Sequence, residues 1–259
     1  MDFSGFREIW VVDFEFRPGP IGIPHVVCGV GKELLSGKLL VLGRDELTGM
    51  RQTPFGFGSD VLFVCFSSTA ELSCYRALGW TFPEYVLDLF FEFLNHVNTE
   101  PAKGKADKGL RGAVHHFGCG SIDPAKKDGM RDEILGQTEY SSSEMWEILL
   151  YCQDDVENTA QLFKAMKPYI DLDRALFRGE YGKALTTMEL CGVPVDVVLL
   201  NRLSANWKSL REKLIDEIDA DYGVFESYKF SNKRFAKWVT KQNIPWPKTK
   251  SGLPRTDKD

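Results

Sequence analysis

The sequence predicts an α/β domain over residues 1–170, followed by an almost wholly helical extension over residues 171–259. Three observations lead to this prediction. Short β-branched and aromatic runs come first, apolar residues at three- and four-residue spacing replace them after about residue 66, and the extension shows mainly helical periodicity. Strands followed by helices that can cover them are typical of an α/β domain.

The predicted strands lie within the first 66 residues. Residues 7–16 are rich in β-branched and aromatic side chains and are followed by Pro18-Gly19-Pro20, which ends the run. Shorter apolar runs separated by glycine-containing turns occupy 25–30, 38–42 and 61–66. This pattern indicates a hairpin-rich sheet that is buried on at least one face.

The predicted helices begin after this sheet. The clearest one starts at a capping box formed by Ser141 and Glu144 and continues to about residue 167. Other helices are predicted at 70–78, 87–97, 110–117, 172–191, 196–221 and 232–242.

Composition indicates a soluble intracellular protein. With 259 residues, 43% of them hydrophobic, the chain can bury a core. Its six cysteines form no Cys-x-x-Cys pair, which favours reduced thiols. We find neither a basic leader followed by an apolar stretch nor a run of about 18 apolar residues, so no membrane partner is expected.

Asp13 and Glu15 are the first candidate site residues. Side chains alternate along a strand, so these two carboxylates share one face of the first predicted strand. In isolation, a solvated strand edge would be the better explanation. However, the apolar residues around them, Trp10 to Val12, Phe14 and Phe16, imply an interior strand, where unpaired charges are costly. Two such carboxylates favour a bound cation.

Tyr151 and Asp155 are the second pair. They are four residues apart in the capped helix, so a phenol hydroxyl and a carboxylate leave one helical face side by side. The ordinary alternative is a core tyrosine next to an exposed aspartate.

Together the two pairs resemble the first and third motifs of the DEDDy exonucleases. The middle motif of that family, usually Asn-x-x-(Phe/Tyr)-Asp after a central strand, falls on residues 67–71, where Ser67 replaces asparagine and Glu71 replaces aspartate. Asp88 matches another recurring acid that would support the site, although a helix N-terminal acid is an equally good interpretation.

Two later segments are similar to family A DNA polymerases. Residues 188–196 resemble the stretch that joins the proofreading and polymerase parts, and residues 247–257 resemble a thumb segment. The resemblance implies a ribonuclease H-like 3′ to 5′ exonuclease domain over 1–170, with a mixed central sheet flanked by helices. It implies the start of a polymerase thumb over 171–259, without the palm and fingers, in the cytoplasm of a bacterium or phage-infected cell.

The resemblance also implies a mechanism. Asp13, Glu15, Glu71 and Asp155 would hold two Mg²⁺ or Mn²⁺ ions around the last phosphodiester of a strand, and Tyr151 would position the attacking water.

The implied partner is a single-stranded DNA 3′ end or a primer-template. Candidate contacts are base stacking by Phe14 and Phe16 and phosphate binding by Lys127 and Arg131, although a solvated loop explains the basic residues as well.

Two other functions fit the same residues. An exoribonuclease could use the same acids on RNA, because the metal ions act on phosphate and do not distinguish the sugars. A degenerate domain retained as a nucleic-acid-binding scaffold is the other alternative, and the presence of all four acids disfavours it.

Overall fold

The structure is a computed structural model that describes residues 2–98, 107–120 and 122–256. The chain forms two compact units, Met1–Gly192 and Val193–Asp259, which are described separately. Among the residues described, no helix combines the length and apolar character that crossing a membrane requires.

A five-stranded mixed sheet forms the centre of the first unit. Its strand order is β3-β2-β1-β4-β5, in which β1 pairs antiparallel with β2 and parallel with β4. The strands are Glu8–Arg17 (β1), His25–Glu33 (β2), Leu39–Gly43 (β3), Val61–Cys65 (β4) and Tyr85–Asp88 (β5).

Helices cover both faces of this sheet. In chain order they are Arg44–Thr48 (α1), Ser68–Ala77 (α2), Leu89–Val97 (α3), Leu110–Phe117 (α4), Pro124–Gly136 (α5), Ser142–Met166 (α6) and Leu172–Cys191 (α7). Along β1, Ile9 and Val11 face a core shared with α6, whereas Trp10 and Phe14 face a separate aromatic core. This arrangement is the predicted ribonuclease H-like α/β fold.

In the first unit, the predicted helices and strands differ from the structure in three places. The helix expected at 87–97 begins at Leu89, because Tyr85–Asp88 forms the edge strand β5, which is too short to show an alternating pattern. The helix α5 was not predicted, since Met130 and Ile134 are the only buried ones among its described side chains. The short helix α1 was also missed.

Helix α7 packs closely on the edge of the sheet. A Cβ atom built on Gly179 would lie 2.0 Å from the carbonyl oxygen of Val86, so only glycine permits this approach. The preceding residue, Arg178, donates two hydrogen bonds of 2.6 and 2.7 Å to the buried carboxylate of Glu92 in α3. The helix therefore belongs to the first compact unit.

The second unit contains two helices and a short hairpin. They are Val197–Tyr222 (α8), Phe225–Glu226 (β6), Lys229–Phe230 (β7) and Asn232–Lys241 (α9). The hairpin was not predicted, because its strands have only two residues each. The Asp219 carboxylate accepts hydrogen bonds from the backbone N–H groups of Val224 and Phe225, which fixes the end of α8 against the hairpin.

The packing of α7 gives a direct test. We expect Gly179→Ala to lower the free energy of unfolding by about 1–3 kcal/mol, because the added methyl meets strand backbone that cannot rotate away. Gly129→Ala is the matched control, since a Cβ at this helical position meets nothing within 4 Å. It should be neutral or stabilising by up to about 1 kcal/mol. Urea unfolding followed by circular dichroism measures both, and equal effects would contradict the described packing.

Candidate active site

Asp13 and Glu15 lie on β1, on the face that packs against α6. Both side chains are half-buried, and β1 has an irregularity in its pairing with β2 directly after Glu15. The thiol of Cys152 in α6 donates to the Asp13 carboxylate, with 3.3 Å between Sγ and Oδ2. Because β1 and β4 run parallel, the segment after Asp13 and the start of α2 meet at the carboxyl edge of the sheet.

Helix α6 adds Tyr151 and Asp155 to this edge. Both side chains are buried, and the Tyr151 hydroxyl is hydrogen-bonded to the Asp155 carboxylate. Burial, followed by the negative charges of Asp155, Glu15 and Asp13, raises the pKa of Tyr151 well above its usual range. The phenol therefore stays protonated near neutral pH and acts as a hydrogen-bond donor.

Glu71 reaches the same place from the first turn of α2. Its side chain is only 3% exposed, and its carboxylate accepts a hydrogen bond from the backbone N–H of Phe14, between the two acids of β1. Burial, then the charges of Asp13 and Glu15, raise the pKa of Glu71 well above its ordinary value. Within the described chain, its Oε2 atom has no hydrogen-bond partner.

Asp88 supports the site without joining it. Its carboxylate accepts backbone hydrogen bonds from Ser67 at 3.0 Å, Ser68 at 2.7 Å and Phe90 at 2.9 Å, so it caps both α2 and α3. Ser67 has a positive φ of 83°, which is uncommon for a residue with a side chain. Asp88 thus holds the turn from which Glu71 enters the site.

The proposed nucleic-acid contacts are not all found at the site. Phe14 lies on the opposite face of β1, is 3% exposed and packs against Phe55, Tyr75 and Trp80, so it is not accessible for stacking on a base. This corrects the interpretation drawn from the sequence. Side chains alternate along a strand, so the alternation that places Asp13 and Glu15 on one face places Phe14 on the other.

The other three contacts have mixed outcomes. Phe16 is half-buried and packs against the same aromatic core as Phe14. Arg131 on α5 is exposed and accessible to a ligand. The side chain of Lys127 lies outside the described residues, so its phosphate contact stays a prediction.

Cys152 is a site residue that the sequence analysis missed. Its sulfur and carboxylate oxygens of Asp13 and Glu15 all lie within 4.8 Å of one another. A signal was present in the sequence, because Cys152 lies between Tyr151 and Asp155 in the same motif, but an apolar cysteine in a helix usually indicates only core packing.

The chemistry of the acidic side chains fits divalent cations. Hard ions such as Mg²⁺ bind oxygen ligands, and carboxylates on three elements supply them here. The buried Oε2 of Glu71, without a hydrogen-bond donor in the described part of the chain, is an oxygen that a cation would satisfy. Asp13, Glu15, Glu71 and Asp155 are therefore suitable ligands.

No protein-family model matches the chain, and no curated protein matches it. Among solved structures, the EXO domain of Nibbler from Aedes aegypti has 14% identity and a TM-score of 0.42, covering 71% of this chain and 88% of that one. A nuclease in its apo form has 13% identity and a TM-score of 0.43, covering 73% and 84%.

A third solved structure matches over almost the whole chain. It is the POL domain of Pol1 from M. smegmatis, in complex with a DNA primer-template and dNTP, with 14% identity and a TM-score of 0.55. The match covers 98% of this chain but 40% of that chain. At this identity the likeness concerns the fold.

The buried charge of Glu71 predicts a pH dependence of stability in the absence of metal ions. Its pKa is raised in the folded protein and close to the ordinary value of 4.5 in the unfolded chain. Between these values the folded state binds more protons, so this group lowers the free energy of unfolding as pH rises above about 4.5. Glu71→Gln removes the ionisation and should gain stability relative to wild type as pH rises.

The measurement is urea unfolding in EDTA at several pH values. Glu139→Gln is the control, because Glu139 is exposed. Parallel stability profiles for wild type and Glu71→Gln would contradict the burial of an ionisable carboxylate at this position.

Proposed function

We propose that the protein is a metal-dependent 3′ to 5′ exonuclease that hydrolyses the terminal phosphodiester of single-stranded DNA. The proposal rests on one observation. Carboxylates from β1, α2 and α6 converge at one edge of the sheet, together with a protonated tyrosine. Clustered, partly buried carboxylates lower the stability of the fold through desolvation and mutual repulsion, and a bound cation offsets both effects.

The metal ligands in this proposal are Asp13, Glu15, Glu71 and Asp155, which would hold two Mg²⁺ or Mn²⁺ ions. A pair of such ions supplies a hydroxide nucleophile and stabilises the departing 3′ oxygen. The protein fixes the ligands. Asp13 and Glu15 are held by the register of β1, and Glu71 by the capping of α2 through Asp88.

Tyr151 orients the attacking water in this scheme. Its hydroxyl keeps its proton and, in the structure without metal ions, donates it to the Asp155 carboxylate. When Asp155 binds a cation, this proton would become available to the attacking water. The neutral phenol does not compete as a metal ligand, because only a deprotonated phenol would bind a cation strongly.

DNA is proposed as the substrate because of the extension. The likeness to a polymerase domain spans 98% of this chain, beyond the α/β unit. It supports our proposal that residues 1–170 are the proofreading nuclease, and 171–259 the start of the thumb, of a family A polymerase. Binding of a frayed primer 3′ end would then bring the last phosphodiester to the carboxylates.

The direct test is digestion of end-labelled single strands by the purified 259-residue chain. We expect a ladder of products shortened from the 3′ end, with DNA in Mg²⁺ or Mn²⁺, and none in EDTA. Faster digestion of RNA would favour an exoribonuclease. Binding of DNA without hydrolysis in either metal would indicate a scaffold and contradict the proposal.

Neighbouring aspartates of α6 offer a matched pair of variants. Asp155→Asn should lower the rate by more than about 10²-fold, because it removes the charge of a proposed metal ligand. Asp154→Asn, whose side chain is exposed, should retain the wild-type rate. Single-turnover digestion of labelled DNA gives both rates. Equal rates in the two variants would remove Asp155 from the active site.

Tyr151→Phe separates water positioning from metal binding. The expected loss is about 10- to 1000-fold in rate, the range of a group that handles or orients a proton. Mn²⁺ affinity, measured by calorimetry, should be unchanged, since the phenol is not a ligand in the proposal. A variant that loses Mn²⁺ binding would show that the role of Tyr151 is different.

A further inference from the structure

We infer that Asp13, Glu15 and Cys152 form a site for one thiophilic divalent cation of the Zn²⁺ class, which excludes the hard ions of the nuclease. The inference of a binding site stands on the geometry of these three side chains. Its regulatory consequence, inhibition of hydrolysis, rests on the proposed function.

The distances suit a shared ion. The three potential ligand atoms lie within 4.8 Å of one another, and Cys152 Sγ is 3.3 Å from Asp13 Oδ2. In a tetrahedral zinc site, a sulfur at about 2.3 Å and an oxygen at about 2.0–2.2 Å from the metal are roughly 3.5 Å apart. The hydrogen-bonded pair is therefore already close to the spacing that one bound ion requires.

The type of donor decides which cation is preferred. Mg²⁺ takes oxygen ligands, whereas thiolate sulfur favours zinc and other soft or borderline ions. On binding, a sulfur–metal bond forms, the S–H bond breaks, and the proton leaves to water. Cys152 Sγ lies 3.3 Å from both the carbonyl oxygen and the carboxylate Oδ2 of Asp13, so the sulfur is already beside the carboxylate that would share the ion.

The buried carboxylate of Glu71 is the second observation that supports a cation at this place. Glu71 is 3% exposed, and its Oε2 atom lacks a hydrogen-bond partner among the described residues. Its carboxylate is held by the backbone N–H of Phe14, the residue between Asp13 and Glu15. A positive ion beside these two acids would offset the repulsion that Glu71 experiences.

The consequence is competition at the active site. An ion bound to Asp13 and Glu15 uses the ligands that the proposed hydrolysis needs, and its preference for four ligands differs from the octahedral geometry of Mg²⁺. Zn²⁺ would therefore inhibit the nuclease by occupying its ligands, and raising Mg²⁺ would relieve the inhibition only in proportion to its competition for Asp13 and Glu15.

Cd²⁺ is the probe, because its bond to a thiolate gives an ultraviolet charge-transfer band. The full chain is freed of metal with a chelator and titrated with Cd²⁺ by absorbance and calorimetry. We expect the band to accompany the tightest binding event. Cys152→Ser should abolish this band and weaken that event by on the order of 10²-fold. Cys191→Ser, which alters an exposed thiol, is the control and should change neither.

A second variant keeps the thiol. Asp13→Asn should weaken the same event by at least about 10-fold, since it removes the charged partner ligand. Circular dichroism establishes that each variant is folded. Should Cys152→Ser fail to fold, loss of affinity in Asp13→Asn supports the site, and unchanged affinity overturns it.

Other outcomes are equally decisive. A band that persists in Cys152→Ser, or disappears in Cys191→Ser, assigns Cd²⁺ to another thiol and overturns the inference. Nuclease activity in Mg²⁺ without a Cys152-dependent band leaves the proposed function standing and removes the thiophilic site. A Cys152-dependent band in a chain that never hydrolyses DNA supports the site and removes the proposed function.

Discussion

Electrostatic repulsion among carboxylates is the constraint on which the rest of this site depends. Asp13 and Glu15 lie on one face of β1, and Glu71 is buried against the peptide that joins them, so burial and like charge both raise the pKa of Glu71. Such an arrangement costs stability unless protons or cations neutralise it. A fold that contains such a cluster has to hold each acid in place through the strand or helix that carries it, because the carboxylates repel one another.

Three structural devices supply that rigidity. The Asp88 carboxylate caps the helices that carry and flank Glu71, and it fixes a turn in which Ser67 adopts a positive φ. The glycine contact between α7 and β5 braces the strand that ends at Asp88. Cys152 anchors α6 against β1 through a hydrogen bond to the carbonyl oxygen of Asp13. The acids thus converge because backbone hydrogen bonds and close packing outweigh their repulsion.

Much of this arrangement follows from local patterns in the sequence. Alternation along β1 pairs Asp13 with Glu15, helical spacing pairs Tyr151 with Asp155, and both patterns persist in the structure because a strand and a helix impose fixed periods. The same alternation turns Phe14 to the opposite face of β1, where it is buried, although the sequence analysis had proposed it for base stacking. Contacts between separate helices and strands could not be predicted from the sequence. Cys152 beside Asp13 and Asp88 beneath Ser67 depend on long-range packing, which no local period encodes.

The central claim is that the four acids form a cation site, and counting bound Mn²⁺ tests it most directly. Electron paramagnetic resonance measures free Mn²⁺, and its loss on adding the metal-free chain gives the number bound. With a deoxynucleoside monophosphate present, the account predicts saturable binding of about two ions per chain in the wild type and weaker binding in Asp13→Asn. An absence of saturable binding, or an identical isotherm for Asp13→Asn, would contradict it.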